Sequence, residues 1–78
     1  ISLTSWKRPA IFDWLQEHGQ IEDMEMLRTF NCGIGMIAAV RSAEVQLALD
    51  TLNQDAEVAR VIGEISKRES EEETLVFV

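Results

Sequence analysis

Cysteine, histidine and proline each occur once in these 78 residues, and glycine occurs four times. A lone Cys32 excludes an intramolecular disulfide framework, and with His18 as the single histidine it also excludes a Cys/His zinc cluster of ordinary ligand count. The scarcity of proline and glycine beside 46% apolar residues excludes a disordered composition. Hydrophobic burial must therefore hold the chain together. A chain of this size buries only roughly 60% of the surface its unfolded form exposes, so its core is small and its stability marginal.

Basic charge is the next shortage. Seven Lys and Arg stand against fourteen Asp and Glu, for a net charge of −7. That sign repels the phosphate backbone that supplies most nucleic-acid affinity, so no nucleic-acid partner is expected. No apolar run approaches the roughly 18 to 20 residues needed to span a bilayer, and no cationic leader precedes an apolar stretch. The expectation is a soluble cytoplasmic protein with no membrane partner. Ile1 opens the chain in place of methionine, which suggests a piece of something longer.

Helical spacing appears early. Pro9 suits a first turn, Ile11, Trp14, Leu15 and His18 fall at i, i+3, i+4 and i+7, and Gly19 supplies a stop, which predicts a helix over Pro9 to His18. Glu22 and Asp23 favour a second helix start, followed by Met26, Leu27 and Phe30 at helical spacing. Gly33 and Gly35 break the pattern. Met36 to Val40 is then a continuous apolar run that fits a strand covered on both faces. Ser42 as N-cap, with Val45, Ala48, Leu49 and Leu52, predicts a third helix ending near Asn53. Val58 to Ile65 and Thr74 to Val78 read as strands, joined by the charged segment Lys67 to Glu73 into a hairpin with a solvated loop. The expected fold class is α/β (α+β), in the order helix, helix, loop, strand, helix, strand, strand.

Few residues carry chemistry. Gly33 and Gly35 read as turn or bulge residues at a strand start, or as positions where the backbone approaches an anion closely. The loop leads into a strand, so neither the dinucleotide fingerprint nor the P-loop applies. Asn31 reads as a turn residue bonding its own backbone, and Arg28 as a helix-end ion pair or a fork for carboxylate or phosphate. Cys32 has no base near it in sequence and reads as a buried thiol. His18 reads as a half-buried histidine at a helix C-terminus. Trp6, Phe12 and Trp14 read as core or interface aromatics. The carboxylates of Glu69 to Glu73 have no calcium-loop spacing, and no metal ligands are assigned.

The run Glu25-Met26-Leu27-Arg28-Thr29-Phe30-Asn31-Cys32-Gly33-Ile34-Gly35-Met36 resembles the C-terminal-domain motif of the phosphoribosylformylglycinamidine cyclo-ligase (AIR synthetase) family. Pro9-Ala10-Ile11-Phe12-Asp13-Trp14-Leu15-Gln16 is similar to that family's Pro-x-x-Phe-x-Trp-Leu helix, and Val61-Ile62-Gly63-Glu64-Ile65 to a late strand. The resemblance implies that residues 1–78 are a fragment of the C-terminal domain, with the N-terminal ATP-binding domain absent. It implies an enzyme of purine biosynthesis that converts formylglycinamidine ribonucleotide to aminoimidazole ribonucleotide. ATP and magnesium are the implied cofactors, with ligands mostly outside this chain, and a homodimer through the missing N-terminal domain is the implied assembly.

Within that picture Arg28, Thr29, Asn31, Gly33 and Gly35 are the expected substrate-binding loop, and no catalytic base is assigned. The isolated fragment is expected to be inactive. A different class of function, a free-standing acidic α/β module that binds a small anionic ligand or a protein partner, remains the alternative reading.

Overall fold

The computed structural model describes residues 1–69, 71 and 74–78. Three α-helices form: α1 over Ala10–Gly19, α2 over Asp23–Thr29 and α3 over Val45–Leu52, the last led in by a 3-10 turn over Ser42–Glu44. The chain divides into two compact units, one of residues Lys7–Ile37 and one of Ile1–Trp6 with Ala38–Val78. Among the described residues no helix is long and apolar enough to cross a membrane.

The Lys7–Ile37 unit holds α1 and α2. Pro9, with φ −57° and ψ 141°, is the N-cap of α1, where a missing N–H costs nothing. The expected stop at Gly19 shifts by one residue. Gly19 is the last helical residue, and Gln20 takes the left-handed conformation, with φ 53°. Its N–H turns back to the Glu17 carbonyl at 3.3 Å, and the Ile21 N–H reaches Gln16 at 3.0 Å. A Cβ on Gly19 would stand 2.9 Å from the tip of the Ile21 side chain, a contact that a shift of that side chain relieves.

The fully buried side chains among the described residues, Met26 and Cys32, both belong to this unit. Phe12 on α1 meets Phe30 after α2 edge to face, with ring centroids 6.2 Å apart. Trp14 stacks on His18 at 4.3 Å, and the His18 Nδ1–H donates to the Trp14 carbonyl at 2.9 Å. Phe12 and Trp14 thus belong to two separate ring pairs.

The other unit holds α3 and extended chain. Arg41, not Ser42, precedes the 3-10 turn as its cap, and no side chain caps it. After α3, Asn53 turns the chain: its Oδ1 accepts the N–H groups of Val58 and Ala59 at 2.8 and 2.7 Å, and its Nδ2 donates to the Ala59 carbonyl at 3.0 Å. The chain ends meet in this unit. The Ile1 amino group donates to Val76, Val78 N–H to Ile1, and Leu3 N–H to Val78, at 2.7, 2.9 and 2.8 Å. These bonds alternate as in a parallel strand pair, over too short a length to make one. Ser2 N–H reaches Ile62 at 2.7 Å, and a Cβ on Gly63 would lie 3.0 Å from Ile1 Cα.

The helical part of the expected order is found, and the strands are not: among the described residues none of the segments Met36–Val40, Val58–Ile65 and Thr74–Val78 forms a strand. A strand exists only by pairing: Met36–Val40 has no neighbour among the described residues, and Ile62, Val76 and Val78 make only a few bonds to Ile1, Ser2 and Leu3, too few for a ladder. Met36 is 90% exposed and Ile37 63%, the opposite of a strand covered on both faces. Among the described residues the strands of the expected hairpin do not pair with each other, although Arg68 Nη1 donates to Thr74 Oγ1 at 2.8 Å. The hairpin tip at residues 70, 72 and 73 lies outside the described residues.

Candidate functional site

The segment from Arg28 to Gly35 leaves α2 through Phe30, an extended residue (φ −119°, ψ 156°) whose N–H still reaches Met26 at 2.9 Å. The Phe12 ring and the buried Met26 and Cys32 anchor this exit. The chain then reverses over Asn31 to Ile34. Ile34 N–H donates to the Asn31 carbonyl at 3.0 Å, and the Asn31 Oδ1 accepts the Gly33 N–H at 2.8 Å. Cys32 and Gly33, the central pair, both have positive φ, 53° and 106°. Two positive φ values make a tight turn of the primed kind.

The turn decides which groups can meet a ligand. The Gly33 N–H is committed to Asn31, so the backbone cradle expected at the two glycines has lost one donor. The Gly35 N–H and the Asn31 Nδ2 have no hydrogen-bond partner among the described residues. Arg28 Nη1 makes a 3.3 Å contact with Glu25, and its side chain is 77% exposed. An exposed pair of that length contributes well under about 1 kcal/mol and leaves the guanidinium available to a stronger anion. Thr29 Oγ1 donates to the other Glu25 oxygen at 3.1 Å. The five expected site residues therefore lie on one exposed stretch, with Glu25 as an acidic holder that the sequence reading did not single out.

Gly33 and Gly35 differ physically. Gly33 needs its glycine for φ 106°. Gly35 has no left-handed conformation, and a Cβ there would meet nothing within 4 Å.

Behind the turn lies a polar group the sequence reading missed. Arg8 donates through Nε and Nη2 to Asp13 Oδ1 at 2.9 and 2.5 Å, and through Nη2 to Gln16 Oε1 at 2.7 Å. Gln16 passes the chain on to Asp23 at 2.6 Å. The hydrogen bond to Asp13 raises the Arg8 guanidinium above its ordinary pKa, burial works against that rise, and the Asp13 charge and the Cys32 thiol add to it. The Cys32 Sγ donates to the Met26 carbonyl at 3.7 Å. Arg8 thus ties α1 to the start of α2 and stands beside the turn cysteine. The only sequence signal for it is a basic residue just before the Pro9 helix start, with Asp13 in the first turn.

In the other unit a shallow depression of about 560 Å³ is lined by Leu49, Asp50, Asn53, Glu57 and Arg60, among others. None of the turn residues contributes to it. Among the described residues no three His, Cys, Asp or Glu side chains group as a metal ion requires.

A family model for the C-terminal domain of AIR synthase related proteins matches residues 1–76. No solved structure matches the chain.

Proposed function

The chain belongs to the family of AIR synthase related protein C-terminal domains, and from that premise we propose that it is part of a phosphoribosylformylglycinamidine cyclo-ligase. The family is one of ATP-using synthetase-type enzymes; the choice of cyclo-ligase rests on the run Arg28-Thr29-Phe30-Asn31-Cys32-Gly33-Ile34-Gly35-Met36. In the reaction ATP with magnesium supplies one thing, a phosphoryl group that turns the formyl amide oxygen of formylglycinamidine ribonucleotide into a leaving group. The amidine nitrogen then attacks that carbon and phosphate departs as the imidazole ring closes.

The chain's own residues bind and orient. Arg28 faces solvent with a weak hold on Glu25, and its planar fork suits the oxygens of the ribonucleotide phosphate. The Gly35 N–H and the Asn31 Nδ2 are further donors, and the absence of a side chain at Gly33 and Gly35 lets the ligand approach the backbone. Metal and ATP ligands belong to parts of the enzyme beyond these residues.

The observation that carries this reading is the turn itself. An Asx-closed turn with two positive φ values presents Arg28, Asn31 and Gly35 on exposed chain, where an ordinary strand start needs none of them. In the full-length enzyme, Arg28→Ala is expected to raise KM for formylglycinamidine ribonucleotide roughly tenfold or more, as loss of a charge-assisted hydrogen bond does. An unchanged KM and kcat overturns the placement. The 78 residues alone are expected to form no aminoimidazole ribonucleotide.

A further inference from the structure

Two of the residues expected to meet the ligand already hold an anion. The Glu25 carboxylate accepts from Arg28 Nη1 on one oxygen at 3.3 Å and from the Thr29 hydroxyl on the other at 3.1 Å. All three residues lie on α2, three and four positions apart, so one turn of helix presents the carboxylate and both donors together. The pair is open to solvent, with side-chain exposures of 77% for Arg28 and 53% for Glu25. An incoming group therefore reaches it without disturbing buried structure. Among the described residues Arg28 has no other ionic partner.

A carboxylate spread across two donors covers them much as one edge of a phosphate would. From this geometry we infer that Glu25 is an internal competitor of the ribonucleotide phosphate: its carboxylate occupies the Arg28 and Thr29 donors and gives them up when the ligand binds. The inference rests on the placement of that phosphate at Arg28 proposed above.

Two effects of Glu25 oppose each other, and their sizes decide the sign. By holding the Arg28 side chain, Glu25 saves the ligand some of the cost of ordering it, but an exposed helical pair of this kind is worth only about twofold. Against that stands repulsion. A phosphate monoester carries close to two negative charges at neutral pH, and it stands about 5 Å from the carboxylate when both face one guanidinium. In water at ordinary ionic strength that costs roughly three- to tenfold in affinity. Repulsion wins. The product carries the same phosphate, so after ring closure the carboxylate takes back its donors and speeds the departure of aminoimidazole ribonucleotide.

Glu25→Gln isolates the charge, since it keeps the side-chain length and the oxygen that accepts from Thr29. In the full-length enzyme this variant is expected to lower KM for formylglycinamidine ribonucleotide roughly three- to tenfold without raising kcat, and to lower the inhibition constant of the product by a similar factor. Ribose 5-phosphate as a competitive inhibitor should tighten in the same way, and ribose, which lacks the phosphate, should not. The difference between parent and variant should shrink as salt rises from about 20 to about 500 mM, because screening weakens the repulsion. If Arg28→Ala raises KM as expected while Glu25→Gln leaves KM unchanged or raises it, Glu25 only orients Arg28 and the inference falls alone. Equal tightening of ribose also overturns it. An unchanged KM in Arg28→Ala overturns the placement of the phosphate, and the inference with it.

Discussion

The Asn31 Oδ1 accepts the Gly33 N–H at 2.8 Å, and two residues apart these groups close a turn that the Asn31 carbonyl closes again through Ile34 at 3.0 Å. One asparagine thus satisfies two backbone donors and fixes the direction in which the glycine segment leaves α2.

Gly33→Ala forces a Cβ onto a residue at φ 106° and is expected to destabilise the chain by about 1–3 kcal/mol. Asn31→Ala removes the Gly33 partner at an exposed site and is expected to cost about 1 kcal/mol, while Asn31→Asp keeps the acceptor and most of the stability. Urea unfolding of the three variants checks this order. Equal midpoints for Gly33→Ala and the parent would contradict it.

Helix periods were legible in the sequence because each reports a local pattern: Ile11, Trp14 and Leu15 mark α1, and Val45, Ala48, Leu49 and Leu52 mark α3. The Asn31 turn was legible as one of two readings. The strands were legible as pattern and are not formed, since Met36–Val40 satisfies strand propensity but pairs with nothing among the described residues. Pairing is a non-local property that a period of two cannot report. Arg8 and Asn53 escaped for the same reason. Their roles depend on which groups stand five to eight residues away in sequence, on Asp13 and Gln16 for one and on Val58 and Ala59 for the other.

Asn53 makes three hydrogen bonds to the Val58–Ala59 backbone from one side chain. Asn53→Ala takes this partner from the part-buried Ala59 N–H and carbonyl, while the exposed Val58 N–H keeps its 3.0 Å bond to the Ala56 carbonyl, and is expected to cost about 1–3 kcal/mol. Asn53→Asp keeps the acceptor for both N–H groups and loses only the donor to Ala59, so it falls between. Thermal unfolding with amide exchange at Val58 and Ala59 separates the two variants. Exchange at those amides unchanged by Asn53→Ala would refute the clamp.

Arg8→Lys is expected to behave like Arg8→Ala rather than like the parent. A lysine ammonium cannot hold Asp13 and Gln16 in the fork geometry that Arg8 uses. The loss stays under about 1 kcal/mol, because Asp13 is largely exposed and water screens the pair. Raising salt should narrow the gap between parent and variant. Denaturant midpoints at low and high salt test this, and a gap that widens with salt would count against it.

Cys32 is 1% exposed, beneath a turn whose backbone it strains. Access rather than nucleophilicity then governs its thiol, which is expected to react with a disulfide reagent at least about tenfold more slowly than a free thiol. In urea the rate should rise to that of the unfolded chain. A native rate equal to that of a small-molecule thiol would mean that the Met26–Cys32 cluster opens freely.

Gly35 offers the sharpest separation of fold from function. Its backbone needs no left-handed conformation and a Cβ there meets nothing within 4 Å, so Gly35→Ala is expected to leave the fold intact or stabilise it by about 0.4–1 kcal/mol. Gly33→Ala, by contrast, damages the turn first and function only through it. In the full-length enzyme a Gly35→Ala variant of undiminished stability should therefore show a raised KM for the ribonucleotide, because the methyl group occupies space meant for the ligand. A normal KM there, beside a normal unfolding midpoint, would mean that the second glycine has no role in binding and that the Arg28–Asn31 end of the segment carries whatever recognition the segment provides.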